Sequence, residues 1–263
     1  MRVISFCAEG IEQAAGRGFY EWMERQDADV ICIQDIRTQE HLLRDDLYFP
    51  SSYNVYFFDN PESTNGVAVY CRDLPKAIMT GMGFNDFDME ARYIQADFEQ
   101  ISFGSLLAPE ATADDEASIA RKAQFFEQLH DHLAKIKNKR REFVICGNFR
   151  VAHQPRDVQL SDEYRDTIGF TDAERGWLDQ MLIDLGYVDA FRAAISDDDE
   201  FTWWPSGTID DNGWRVDYQI VSEGLRKTIE YGGILKSKSF SAHGPLTVDY
   251  DYEICPEDNM PRY

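Results

Sequence analysis

The sequence predicts an α/β chain built as a four-layered sandwich, with two mixed, mostly antiparallel sheets packed face to face and covered by helices. Three observations predict it. Nine short runs are rich in β-branched and aromatic residues, and segments with helical periodicity lie between them. Neighbouring runs, 54–58 with 66–71 and 93–98 with 101–107, are close enough in sequence to form hairpins, which a parallel barrel would not contain.

Along the chain the first strand is RVISF at 2–6, followed by a helix over Ile11 to Arg25. The strands DVICIQ (29–34), NVYFF (54–58), GVAVYC (66–71), YIQADF (93–98) and ISFGSLL (101–107) come next. From Glu116 to Lys137 the residues Ile119, Ala123, Phe126, Leu129, Leu133 and Ile136 recur at steps of four and three, the apolar stripe of a long helix. The strand EFVICG (142–147) follows it. Thr171 with Glu174 three residues on is a capping box, and Trp177, Leu178, Met181, Leu182 and Leu185 continue that helix until Gly186 stops it. RVDYQIVS (215–222) and PLTVDYDY (245–252) are the last strands. Residues 150–170 and 194–213 form long polar connections, where function concentrates on a packed scaffold.

The 263 residues carry 26 Lys plus Arg against 48 Asp plus Glu, a net charge of -22, and a hydrophobic fraction of 43% excludes a disordered acidic chain. So negative a molecule does not bind nucleic acid by covering phosphates on its own; such contact must be local or carried by a partner. No stretch is apolar and long enough to span a membrane, and no signal peptide is expected, since Met1 to Phe6 leads straight into an alternating apolar run. Cys7, Cys32, Cys71, Cys146 and Cys255 are odd in number and lack paired metal-ligand spacing, so they read as free thiols and the chain as cytoplasmic.

Several blocks arrive in a telling order: SFCAEGI (5–11), DVICIQD (29–35), RYIQADF (92–98), APEA (108–111), ICGNFR (145–150), FTWW (201–204), GWRVDYQIVS (213–222) and SAHGPL (241–246). Together they resemble exonuclease III-like enzymes, and the resemblance implies one endonuclease/exonuclease/phosphatase-like domain over 1–263. It also implies Mg-dependent hydrolysis of phosphodiesters at abasic sites and DNA ends. Most of the family's catalytic positions are altered here. Cys7 stands for an Asn, Asp35 for the metal-binding Glu, Leu107 for a Tyr, Asn148 for the catalytic Asp, Arg150 for the phosphate-steadying Asn and Ala242 for the Asp before His243. Asp217 and His243 match the pattern.

An amide at 148 cannot take a proton, Arg150 is expected to oppose Mg and pair with Asp35 or Asp217, and His243 is expected to lack a carboxylate that fixes its ring. The expectation is therefore a vestigial pocket with no catalytic residue, no metal and no cofactor. A rebuilt, weak Mg-dependent AP endonuclease or phosphodiesterase around Asp35, Asp217 and His243 is the alternative.

IQDIR (33–37), KNKRRE (137–142), CGNFRVAHQ (146–154), FTWWP (201–205), GWRVDYQ (213–219) and FSAHGPLTVDYDY (240–252) further resemble the catabolite repression control (Crc) branch of that family, whose members lack nuclease activity. That branch implies translational repression at A-rich mRNA sites together with the RNA chaperone Hfq. Lys135, Lys137, Lys139, Arg140 and Arg141 form a basic run in an acidic chain, a candidate contact for RNA or a partner against the plainer reading of a solvated helix end. Trp203 and Trp204 read as core packing in preference to base stacking. His130 and His132 point to different faces of their helix and form no metal pair.

Overall fold

The computed structural model describes residues 1–209 and 212–255, so two residues of the second long connection, 210 and 211, lie outside it. Two six-stranded sheets form. In chain order the strands are β1 (Arg2–Cys7), β2 (Val30–Gln34), β3 (Asn54–Asp59), β4 (Gly66–Cys71), β5 (Ala77–Thr80), β6 (Tyr93–Asp97), β7 (Ile101–Leu107), β8 (Glu142–Asn148), β9 (Val188–Asp189), β10 (Asp217–Val221), β11 (Ile229–Ile234) and β12 (Leu246–Tyr250). One sheet runs β11-β12-β1-β2-β4-β3 and the other β5-β6-β7-β8-β10-β9. Each holds one parallel pair, β1 with β2 and β7 with β8, and is otherwise antiparallel.

Alternation along the strands decides which side chains meet between the sheets. Val3, Cys32, Val69, Phe103, Val144, Cys146 and Val248 share the inner core. The outer face of the β8 sheet is covered by α3 (Glu116–Ile136) and α4 (Asp172–Asp179), whose Phe126, Leu129, Leu133 and Leu178 pack on Leu106, Ile145 and Tyr218. On the opposite outer face α1 (Ile11–Gly16) and α2 (Phe19–Met23) cover Phe6, Ile31, Ile33 and Tyr70. These are the four expected layers.

Three differences from the sequence reading have local causes. The helix expected over Ile11 to Arg25 is broken, because Gly18 adopts a left-handed φ of 82° between α1 and α2. The edge strands β5 and β11 keep most of their side chains partly or fully exposed, and β9 has only two residues, so none of the three shows a buried apolar run. The capping box at Thr171 and Glu174 forms as expected, and after α4 the chain continues through a π-turn over Gln180–Asp184 to Gly186 at φ 74°.

Candidate active site

The sheets place the sequence-predicted positions at one end of the sandwich. Cys7, Leu107 and Asn148 close β1, β7 and β8, Asp35 follows β2, and Asp217 opens β10 opposite Asn148. Ala242 and His243 lie just before β12. A cleft of about 430 Å³ opens there, with Asp35, Asn148, Arg150 and His243 on its polar side and Trp203 and Trp214 on its apolar wall. Cys7, Leu107, Asp217 and Ala242 do not line the cleft; Cys7 and Asp217 are buried, and Leu107 lies in the core between the sheets.

His243 is held after all. Its Nδ1 lies 2.7 Å from Asp217 Oδ2, so the carboxylate that fixes the ring comes from β10 rather than from the position before the histidine. Burial disfavours the charged imidazole, but Asp217 outweighs it and holds the His243 pKa well above the ordinary histidine range. With Nδ1 engaged by the carboxylate, Nε2 remains the second donor of the imidazolium. Trp203 stacks on the ring with centroids 6.0 Å apart, and this half-buried tryptophan faces the cleft whereas Trp204 is buried.

The cations are placed differently from expectation. Arg150 pairs with Glu110 at 2.8 Å, not with Asp35 or Asp217. Asp35 is instead gripped by Arg37, whose Nη2 donates to Oδ2 at 2.8 Å and whose Nε reaches both carboxylate oxygens at 3.1 Å. Asn148 Oδ1 accepts from the Arg150 amide at 2.9 Å, and its Nδ2 donates to Cys7 Sγ at 3.3 Å, so the amide orients its neighbours and accepts no proton. Burial pushes the Cys7 thiol up. Four of the eight non-glycine residues with positive φ among the described residues, Glu9, Asp35, Arg37 and Arg150, sit around this cleft. A left-handed backbone costs an ordinary residue about 1–2 kcal/mol.

Two buried clusters that sequence reasoning missed fix the walls. Lys122 of α3 donates to Arg150 O at 2.9 Å and to Glu174 Oε1 at 2.6 Å, and Glu174 Oε2 accepts from the Gly169 amide at 2.7 Å. Asp157 is enclosed by Arg215 at 2.8 Å and Arg192 at 2.6 Å, with Asp189 a further 2.8 Å from Arg215. Burial opposes its charge, yet Arg215 and Arg192 outweigh burial and hold the Asp157 carboxyl well below the usual range. Arg37 could have been suspected from IQDIR and Glu110 from APEA. The Asp157 cluster joins positions too distant in sequence to leave a local signal.

The basic run does not reach the cleft. Lys135, Lys137, Lys139 and Arg140 are exposed at the opposite end of β8, about 20 Å away at a strand rise of ~3.3 Å per residue, and Arg141 pairs with Asp97 at 3.0 Å. His132 packs edge-on against Phe84 and Tyr93, apart from the half-buried His130.

Residues 9–237 match the endonuclease/exonuclease/phosphatase family. An exodeoxyribonuclease of Bacillus subtilis is 31% identical over 252 residues, covering 94% of this chain and 98% of its own. The chain belongs to the endonuclease/exonuclease/phosphatase family. Exodeoxyribonuclease III of Haemophilus influenzae is 27% identical, covering 95% of this chain and all of its own. Among solved structures, an AP endonuclease of Archaeoglobus fulgidus superposes with a TM-score of 0.85 at 22% identity over 96% of this chain and all of its own.

These relatives correct the regulator reading. Full-length relatives named as exodeoxyribonucleases point to an enzyme. The Hfq partnership came only with that reading. The expectation of no cofactor falls as well, since exonuclease III-like family members are typically Mg-dependent. The residues present fit the ion: Mg keeps several waters and is commonly held by one or two carboxylates plus substrate phosphate, and Asp35, Glu9 and Glu110 all line the cleft. No helix among the described residues is long and apolar enough to cross a membrane.

Proposed function

We propose that this chain is a slow Mg-dependent phosphodiesterase acting on DNA at abasic sites or strand ends, with its chemistry rebuilt around Asp35, Asp217 and His243. The observation that carries it is the buried Asp217–His243 pair, 2.7 Å apart, with the imidazole on the wall of the cleft. Asp217 keeps the ring charged and turns its second nitrogen away from itself, so His243 can donate to a phosphoryl oxygen as negative charge develops there. Arg37 and Arg150 draw the phosphate in, and Trp203 and Trp214 offer flat apolar surface to a sugar or base. Asp35 would hold the ion by giving up its bond to Arg37; when bound, Mg supplies Lewis-acid polarisation of the phosphoryl oxygens.

Asn148 steers a water without deprotonating it, so the rate stands about 10²–10⁴-fold below that of a site with a working general base. The wording at 151–154 and 248–252 supports descent from the Crc-like branch, and free thiols agree with a cytoplasmic setting. The exposed basic run is proposed as a remote contact for nucleic acid or a partner. The test is nicking of abasic duplex DNA. Cleavage is expected above a protein-free blank, is abolished by chelation and drops at least 100-fold in Asp217→Ala. Absence of Mg-dependent cleavage, or full activity in Asp217→Ala, would overturn the reading.

A further inference from the structure

Behind the cleft stands a group of side chains whose chemistry is not that of a magnesium site. Cys7 Sγ, a ring nitrogen of His243 and a carboxylate oxygen of Asp217 all lie within 4.8 Å of one another, and all three residues are buried. They come from three elements: Cys7 ends β1, Asp217 opens β10, and His243 sits in the segment entering β12. Backbone packing of both sheets therefore fixes their separation. A second observation is independent of the first. Asp217 Oδ1 is buried and has no hydrogen-bond partner among the described residues, although Oδ2 is engaged by His243. An unsatisfied carboxylate oxygen in a protein interior is costly and calls for an ion or water.

The donor types narrow the ion. Magnesium selects hard oxygens, and thiolate sulfur is a poor partner for it. Sulfur, imidazole and carboxylate together suit Zn²⁺, with bonds of about 2.3 Å to S and about 2.0–2.2 Å to N and O in a tetrahedron. Ligand atoms in such a site stand roughly 3.3–3.7 Å apart by that geometry, so the widest pair closes by about an ångström, within reach of side-chain torsion. Asn148 already donates to Cys7 Sγ at 3.3 Å, a bond that strengthens once zinc displaces the thiol and imidazolium protons to solvent, and Trp203 stacks on the imidazole. Because His243 and Asn148 border the cleft, the fourth position faces an entry path for water.

We propose that Cys7, Asp217 and His243 form a Zn²⁺ site separate from the magnesium position at Asp35. Zinc held there occupies the imidazole that the phosphodiesterase reading assigns to the phosphoryl group, so bound zinc inhibits. The inhibitory consequence rests on that reading, whereas the binding itself does not.

The probe is Co²⁺ added to the reduced full-length chain. One equivalent is expected to bind with a thiolate-to-metal charge-transfer band and tetrahedral d–d bands, to be displaced by Zn²⁺ and to survive millimolar Mg²⁺. Cys7→Ser should remove the charge-transfer band and weaken binding at least about tenfold, while Cys255→Ser, which alters the exposed thiol, should leave both unchanged. Melting curves establish that each variant is folded, with Cys7→Ala as the second substitution at that site. No cobalt uptake at micromolar metal, or a band that persists without the Cys7 thiol and vanishes with Cys255→Ser, overturns the site. In the nicking assay zinc should inhibit the unaltered chain at concentrations that spare Cys7→Ser. If that chain shows no cleavage, the phosphodiesterase reading has failed and the cobalt spectrum still decides the metal site.

Discussion

One group of arginines and carboxylates surrounds Asp157 and another lines the cleft at Asp35 and Glu110, and they differ chiefly in access to water. Around Asp157 the pairs with Arg215 and Arg192 are sealed: the carboxylate is fully buried and Arg215 is 1% exposed. Around Asp35 and Glu110 the pairs with Arg37 and Arg150 line an open cleft, and the Glu110 side chain is 76% exposed. A sealed charge cannot be left alone, because its partner loses water without gaining a bond. An open pair can exchange partners, which is what a phosphate or a metal ion requires of it. Burial thus divides chemically similar residues into a brace for the 150–170 connection and a receptive surface.

The contrast is broken most severely by Asp157→Asn, which leaves Arg215 and Arg192 without their shared anion. The expected loss is about 3–5 kcal/mol in urea unfolding, and a loss below 1 kcal/mol would show that the cluster tolerates water. His132 tests partial burial beside like charge. Burial, with repulsion from Lys139 and Lys135, pushes it down to about 4 from an ordinary 6.5, so the unfolded chain binds the proton first. Its contribution is constant above pH 6.5, declines as pH falls and is lost below about 4, a total of about 3 kcal/mol at ~1.36 kcal/mol per pH unit. His132→Phe should flatten that part of the urea-midpoint profile, and an unaltered slope would assign the acid sensitivity to carboxylates elsewhere.

Within the open group, Asn148→Asp should raise Mg-dependent nicking about 10²-fold, as expected for a recovered general base, with stability measured alongside. An unchanged rate would mean that the amide is not limiting. The smallest effect belongs to Glu110→Ala. It should alter stability by less than about 1 kcal/mol, yet free Arg150 for one more phosphate and steepen the salt dependence of DNA binding by about 1 in the log–log slope.

The layers were legible because both sheets are built from runs such as VICIQ and EFVIC, whose burial is nearly complete, and because α3 carries its stripe at helical spacing. The edge strand IEYGGI was not, since exposed strands need no apolar pattern. At the site, sequence order located Asp35, Asn148, Asp217 and His243 but misjudged their partners. The carboxylate facing His243 lies 26 residues earlier and meets it because β10 of one sheet faces the segment entering β12 of the other. Arg150 was expected to pair with Asp35 or Asp217, but it follows β8 in a left-handed turn whose carbonyl is held by Lys122, and its side chain meets Glu110. Leu107 counts as a lost hydroxyl in sequence and as core packing in three dimensions.

The left-handed turns at Glu9, Asp35, Arg37 and Arg150 also bear on how this cleft changes over generations. At φ near +50° only glycine is free of strain, and asparagine and aspartate are the side chains that tolerate it best, so β-branched residues are disfavoured whatever the chemistry demands. Substitution at these positions is thereby channelled toward side chains that do not branch at Cβ. A lineage that abandons one reaction meets this backbone constraint at each such position, because the turn filters what may replace the lost residue, and new ligand chemistry starts from that stock.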